Sequence, residues 1–110
     1  MYSALANLLL LACIAVIEVE SGGGLTHARP LTDSEEREFG ELIEKKLPGF
    51  IGADVTGFRF ISVRTQIVAG TVYHVKIQLP GENCLSVKIF RPLPTQGNEI
   101  SIIDTKYVNC

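Results

Sequence analysis

Two alternating runs of residues, separated by a short apolar segment, constrain the fold of this chain more than any other feature. The runs cover residues 58–65 and 71–79, and both are rich in β-branched and aromatic side chains. Such runs predict β-strands. Because only five residues separate them, we expect the two strands to form an antiparallel hairpin.

The five residues between the runs, Gln66-Ile67-Val68-Ala69-Gly70, are unusual for a hairpin turn. Hairpin tips normally carry Asn, Asp, Ser and Gly. Here Ile67 and Val68 occupy the tip, and Gly70 can adopt a positive φ. Exposed apolar side chains indicate a contact surface when they cluster. The tip therefore either packs onto its own core or meets a partner.

A single helix should precede the hairpin. Thr32 and Glu35 have the spacing of a capping box, which predicts a helix start at that point. The following residues place four apolar side chains on one helical face, and Pro48-Gly49 predicts the end of the helix. That face consists of Phe39, Leu42, Ile43 and Leu47.

Two more alternating runs follow the hairpin, at residues 84–91 and 99–107. The alternation of the first run changes between Phe60 and Ile61, which predicts a β-bulge or a sharp bend. The whole pattern predicts an α+β domain with one α-helix packed on an antiparallel sheet of four to five strands.

Three segments of the chain resemble the cystatin superfamily of cysteine-protease inhibitors, and within it the stefins. The apolar turn has the form Gln-x-Val-x-Gly of the first binding loop, and Leu93-Pro94 resembles the second. Gly22-Gly23-Gly24-Leu25 resembles the N-terminal trunk. Gly24 precedes Gln66 by 42 positions, as in stefins. The resemblance covers residues 22–106.

The resemblance implies a reversible, tight-binding and competitive inhibitor of papain-like cysteine proteases of the cathepsin L, cathepsin B or papain type. Catalytic residues are not expected. The resemblance implies a monomer, with a domain-swapped dimer as the alternative. A non-inhibitory secreted cystatin-like binding or defence protein is the alternative function. The implied protease-binding residues are Gly23, Gly24, Leu25, Gln66, Ile67, Val68, Ala69, Gly70, Leu93 and Pro94.

The first residues of the chain have the pattern of a secretory leader. Residues 8–17 are all apolar, which is too short to cross a bilayer comfortably and typical of a signal peptide. Residues 1–7 lack the Lys or Arg that is usual in a signal peptide. A buried N-terminal strand and an uncleaved anchor are therefore the alternative interpretations. We expect a signal peptide at 1–21, a domain at 22–110, and location in the secretory or endolysosomal pathway or outside the cell; the alternative location is cytoplasmic.

Cys84 and Cys110 remain after loss of the leader, which contains Cys13. An even number in an oxidising compartment favours a disulfide, since Cys84 begins one predicted strand and Cys110 follows the next. Free thiols or an intermolecular bridge are the alternatives. Stefins typically lack disulfides, whereas secreted cystatins contain them.

Charge and composition argue against several other functions. The chain has 12 acidic and 10 basic residues, and removing Glu18 and Glu20 with the leader makes the two equal. Without clustered cations we expect no nucleic-acid partner, and we expect no membrane partner. A Cys84–His74 nucleophile pair lacks a third group, and no Cys/His spacing predicts a metal site. We therefore expect no cofactor, no metal and no enzymatic activity.

Overall fold

The computed structural model describes residues 24–110, which form one helix and a four-stranded antiparallel sheet. The strands lie in chain order, and a short 3₁₀ turn at Pro94–Gln96 separates the last two. The predicted α+β fold is confirmed. The elements are α1 (Asp33–Ile51), β1 (Arg59–Val68), β2 (Gly70–Gln78), β3 (Cys84–Arg91) and β4 (Ser101–Val108).

Within residues 24–110, α1 is not apolar enough to span a membrane.

The capping box at the start of α1 is confirmed. The backbone N–H of Glu35 donates to Thr32 Oγ1 at 3.1 Å, and the backbone N–H of Thr32 donates to Glu35 Oε1 at 2.9 Å. The prediction that Pro48-Gly49 ends the helix is wrong. The helix continues to Ile51 and ends at Gly52, whose φ is +68°. Pro48 removes only one hydrogen bond from the helix. The helix continues past it because Ile51 packs against the core.

The core lies between α1 and the inner face of the sheet. Phe39, Ile43 and Leu47 of the predicted helical face are fully buried, and Leu42 is partly buried against them. Each fully buried side chain of this kind contributes about 1.5–3 kcal/mol to folding. The sheet contributes Val63, Val75, Ile77, Leu85, Val87, Ile89 and Ile102.

The β-bulge predicted in the first strand is confirmed. Phe60 pairs with Ile77 and Ser62 with Lys76, so Ile61 is the extra residue on β1. Because side chains alternate along a strand, the bulge turns Val63 towards the core and leaves Ile61 exposed.

Cys84 and Cys110 form a disulfide, with their Cα atoms 5.3 Å apart. The predicted pairing is confirmed. The bond joins the start of β3 to the segment after β4, where Cys84 also pairs with Val108. Closing a loop over 26 positions stabilises the fold by about 3–4 kcal/mol in the chain-entropy model.

Candidate functional site

Four of the eight large hydrophobic side chains that are exposed in residues 24–110 lie at one end of the sheet. Leu25 is 40% exposed, Ile67 57%, Val68 45% and Leu93 41%. They belong to three segments: the N-terminal arm (residues 24–30), the β1–β2 turn, and the connection from β3 to β4. Exposed apolar groups collected in one place indicate a surface that a partner covers.

The β1–β2 turn is tighter than the predicted five-residue loop. Gln66 pairs with Val72 and Ile67 with Thr71, so the strands continue until Ala69 alone lies between them. The ladder extends because β-branched residues suit a strand. Since Ile67 and Val68 are exposed, the interpretation that this tip packs onto its own core is wrong.

Gly70 closes the turn in a position that no other residue could occupy without strain. Its φ is +121°, in the region that favours glycine. A Cβ atom there would lie 2.5 Å from the carbonyl oxygen of Arg91 and 2.9 Å from Cε1 of Phe90. The first turn therefore lies directly against the end of β3.

The β3–β4 connection presents Leu93 from a stiff backbone. Leu93 is extended, with φ −62° and ψ 151°, and lies between Pro92 and Pro94. Pro94 begins the 3₁₀ turn, where its fixed φ suits the first position. The backbone N–H of Gln96 closes that turn by donating to the carbonyl of Leu93 at 2.8 Å.

The N-terminal arm runs beside β1. Leu25 forms an isolated antiparallel bridge with Gln66, and Arg29 forms one with Val63. The backbone N–H of Thr26 donates to the carbonyl of Thr65 at 2.9 Å. These contacts place Gly24 and Leu25 next to the first turn. Gly22 and Gly23 lie outside the described residues.

An ion pair holds the base of the arm to the helix. The guanidinium of Arg29 donates two hydrogen bonds to the carboxylate of Glu35, at 2.9 and 2.8 Å. The hydrogen bond from Arg29 lowers the pKa of Glu35 from 4.5 to about 2, helped by the backbone N–H of Thr32. The arm thus has a fixed origin from which Leu25 extends.

A second anchor supports the β3–β4 connection, and the sequence did not indicate it. The guanidinium of Arg91 donates to Glu38 Oε1 at 2.5 Å and lies 5.8 Å from the ring centroid of Tyr73. The Tyr73 ring in turn lies 4.9 Å from that of Phe39. Arg91 and Glu38 are 53 positions apart, so no local pattern could reveal their contact.

His74 lies on the outer face of the sheet near the first turn. Its Nε2 is 3.2 Å from Oε1 of Gln66. Burial lowers the pKa of His74, and the nearby cations Lys88 and Arg64 lower it further. Cys84 and His74 cannot act as a nucleophile pair, because the Cys84 sulfur is bonded to Cys110. Residues 24–110 contain no group of side chains arranged to hold a metal ion.

Comparisons with known proteins identify the family of this chain. No protein-family model matches the chain. Cystatin-A of Bos taurus is 34% identical over 85 residues, which are 77% of this chain and 84% of that protein. Leukocyte cysteine proteinase inhibitor 1 of Sus scrofa is 33% identical over 81 residues, covering 74% of this chain and 78% of the relative. The chain belongs to the cystatin family.

A solved structure supports the same assignment for this cystatin. The secreted type 1 cystatin from Fasciola hepatica superposes with a TM-score of 0.70 at 32% sequence identity. The match covers 80% of this chain and 98% of that one. The resemblance to the cystatin superfamily inferred from three short segments is therefore confirmed.

Proposed function

We propose that this cystatin is a reversible, tight-binding and competitive inhibitor of papain-like cysteine proteases and that it has no enzymatic activity. The observation that carries the proposal is the exposure of Leu25, Ile67, Val68 and Leu93 at one end of a rigid sheet. Relatives at about 30% identity carry the name cystatin or cysteine proteinase inhibitor. We expect this apolar edge to enter the active-site cleft of such a protease.

Each segment would contribute to binding in a different way. Gly23 and Gly24 lack a Cβ atom, so the arm's backbone can lie close to the cleft wall. Ile67, Val68 and Leu93 would each contribute up to about 1.5–3 kcal/mol if the protease covered them fully. We assign protease contact to these residues together with Leu25, Gln66, Ala69, Gly70 and Pro94.

The rigidity of the two loops should increase the affinity that these contacts provide. Gly70 packs against Phe90 and Arg91, and Pro92 and Pro94 flank Leu93. A segment that is already ordered loses less conformational freedom when it binds, so more of the apolar contact appears as affinity. Such complexes typically bury about 1,600 Å² in total.

Inhibition should be reversible because the proposed contact surface contains no reactive group. The two cysteines of residues 24–110 are bonded to each other. The binding segments offer apolar side chains and backbone amides, which form no covalent bond with a protease thiolate. Blocking the cleft would exclude the substrate, so the inhibition should be competitive.

We infer that the binding form is a monomer that acts on enzymes of the cathepsin L, cathepsin B or papain type. The three segments must enter one cleft together, and each is held to the same sheet. A domain-swapped dimer exchanged through the first turn is the alternative form. Such a dimer should not inhibit, because the Gln66–Gly70 turn would no longer be a turn.

We also propose that the protein is secreted after cleavage of residues 1–21. The disulfide is consistent with this, because disulfides persist in oxidising compartments. The Fasciola hepatica structure is itself described as a secreted type 1 cystatin. The domain would then begin at Gly22, which leaves the arm at its N-terminus.

Progress curves test the inhibitor proposal directly. Purified residues 22–110 should inhibit papain and a cathepsin L-type enzyme at sub-micromolar concentration, with competitive kinetics. Trypsin and thermolysin serve as controls and should be unaffected. A monomeric, folded sample that inhibits no papain-like enzyme would overturn the proposal and favour a non-inhibitory binding protein.

A further inference from the structure

Six basic side chains share the outer face of the sheet, opposite the helix. One of them, Arg59, is paired with Gln78 through its side chain, and the other five form two neighbouring rows. The strand register places Arg64 beside His74 and His74 beside Lys88. The next row contains Lys76 and Lys106, on either side of Ser86. We call Arg64, His74, Lys76, Lys88 and Lys106 the basic face.

The opposite side of the molecule is acidic. The helix α1 carries three basic residues, Arg37, Lys45 and Lys46. Its six carboxylates outnumber them. The acidic residues are Asp33, Glu35, Glu36, Glu38, Glu41 and Glu44. The positive and negative charges nearly balance over the whole chain, yet the fold separates them onto two sides of the molecule. The composition alone did not indicate this separation.

Few acceptors compensate the basic face. Asp104 Oδ2 lies 3.9 Å from Lys88 Nζ, and both side chains are exposed. Lys76 Nζ donates to the backbone oxygen of Cys110 at 3.3 Å. Arg64 Nε donates to the carbonyl of Thr26 at 2.9 Å, and its guanidinium has further N–H donors. A positive field therefore remains across the two rows.

The two rows also place like charges side by side. Lys88 is the diagonal neighbour of Lys76 on one side and of Lys106 on the other, and like charges this close repel each other. Arg64 and Lys88 also lie on either side of His74. Both cations lower the pKa of His74, after the larger effect of burial. An anion lying across the rows would relieve this repulsion.

A shallow hollow of about 300 Å³ lies between this face and the N-terminal arm. Part of its lining is apolar, and the polar part consists of Arg64, His74, Lys76, Ser62 and Ser86. These groups are hydrogen-bond donors for the oxygens of an anion. No Phe, Tyr or Trp ring is among the side chains that line the hollow, whereas proteins that bind single-stranded nucleic acid stack bases on aromatic rings.

We propose that the basic face binds a sulfated polysaccharide. Neighbouring strands lie about 4.8 Å apart and residues two apart on a strand about 7 Å, so the cations form a grid over which a chain of sulfates can lie. The attraction is electrostatic and should weaken as salt increases. Lys76 and Lys106 lie further along the strands from the proposed protease-binding edge than Arg64 and His74 do, so both partners could bind at once.

Titration with a fluorescently labelled heparin octasaccharide tests the proposal. Residues 22–110 should bind the probe at low salt and release it as salt rises, and the same saccharide without sulfates should not bind. The triple variant Lys76→Gln, Lys88→Gln, Lys106→Gln should bind about tenfold or more weakly.

A matched variant removes the same charge from the helix: Arg37→Gln, Lys45→Gln, Lys46→Gln. Its affinity for the octasaccharide should stay within about twofold, well under the tenfold loss. Circular dichroism and papain inhibition should be unchanged for both triple variants, which separates failure of this proposal from failure of the inhibitor proposal.

Three outcomes would overturn the proposal. The octasaccharide could fail to bind at low salt, or both triple variants could lose affinity equally. Equal or tighter binding to single-stranded DNA of the same charge, or to phosphatidylserine vesicles, would replace the sulfated polysaccharide with that partner.

Discussion

The first turn and the third strand meet where Gly70 faces the carbonyl oxygen of Arg91. A Cβ atom on Gly70 would lie 2.5 Å from that oxygen. Arg91 is two residues before Leu93 and is itself held by Glu38 on the helix. This contact fixes the two proposed binding loops relative to each other and relative to α1.

Gly70→Ala should therefore weaken inhibition as well as stability. The added methyl must either strain the backbone at φ +121° or push β3 away from β2. Such strain costs about 1–3 kcal/mol, and the shift separates the two loops. Urea unfolding and the inhibition constant against papain measure the two effects.

Gly81→Ala is the matched control for this variant. Gly81 also has a positive φ, +92°, but a Cβ atom there would meet nothing within 4 Å. Its substitution should cost stability through strain alone and leave inhibition unchanged. Equal loss of inhibition in both variants would contradict a specific role for the Gly70–Arg91 contact.

Deleting the chain through Leu25 should weaken protease binding by about 10- to 1,000-fold, or about 1.4–4 kcal/mol. Leu25 is 40% exposed and forms a β-bridge with Gln66, so its apolar surface is available to a protease. The loss should appear mainly as faster dissociation, measurable by surface plasmon resonance. Unchanged dissociation would show that the arm makes no contact.

Thermal unfolding of the same truncated protein is the control. The contacts of Arg29 with Val63 and Glu35 remain, so the melting temperature should hardly change. A large decrease would instead give Gly24 and Leu25 a structural role.

The ion pair between Arg29 and Glu35 should make stability depend on pH. The pKa of Glu35 is lowered from 4.5 to about 2 in the folded protein, so its contribution is present above about pH 4.5 and is lost as pH falls towards 2. Because Arg29 is 42% exposed, solvent screening limits this contribution to about 1 kcal/mol.

Glu35→Gln should therefore lose about 1 kcal/mol at neutral pH. The difference from the unsubstituted protein should shrink as pH approaches 2. Glu36→Gln, at an exposed neighbouring position, is the control and should show a smaller effect. A difference between Glu35→Gln and the unsubstituted protein that stays constant with pH would contradict a charge-based origin.

Secreted protein should begin at or near Gly22, and its mass should be about two hydrogens lower than that of the reduced chain, because one disulfide forms. Intact-mass spectrometry before and after reduction measures both features. A chain that retains Met1 would contradict secretion. Free thiols at Cys84 and Cys110 would contradict the disulfide between them.

Local patterns predicted the elements of this fold well. The Thr32–Glu35 capping box and the change of alternation at Phe60 are both short-range signals, and both are confirmed. The helix end predicted from Pro48 was wrong, because the packing of Ile51 against the core outweighs the local helix-breaking preference of proline. Helix ends depend on tertiary contacts that a short window does not contain.

The proposed binding edge was only partly predictable. The Gln66–Gly70 turn and Leu93 were indicated by their residue types, yet their supports were not. The Glu38–Arg91 pair and the rows of the basic face exist only once the strand register is known. Contacts between residues far apart in the chain follow from that register, which the sequence pattern does not specify.

The most direct test of the central claim is the inhibition constant of Val68→Asp against papain, measured with the stability of the uncomplexed variant. Val68 is 45% exposed at the first turn, and burying an unpaired carboxylate in the cleft would cost several kcal/mol. Ile61→Asp, at the bulge near the other end of β1, is the control and should inhibit normally. We expect Val68→Asp to abolish most inhibition while unfolding at nearly the same urea concentration. Normal inhibition, or an unfolded variant, would contradict the proposal that this turn enters the protease cleft.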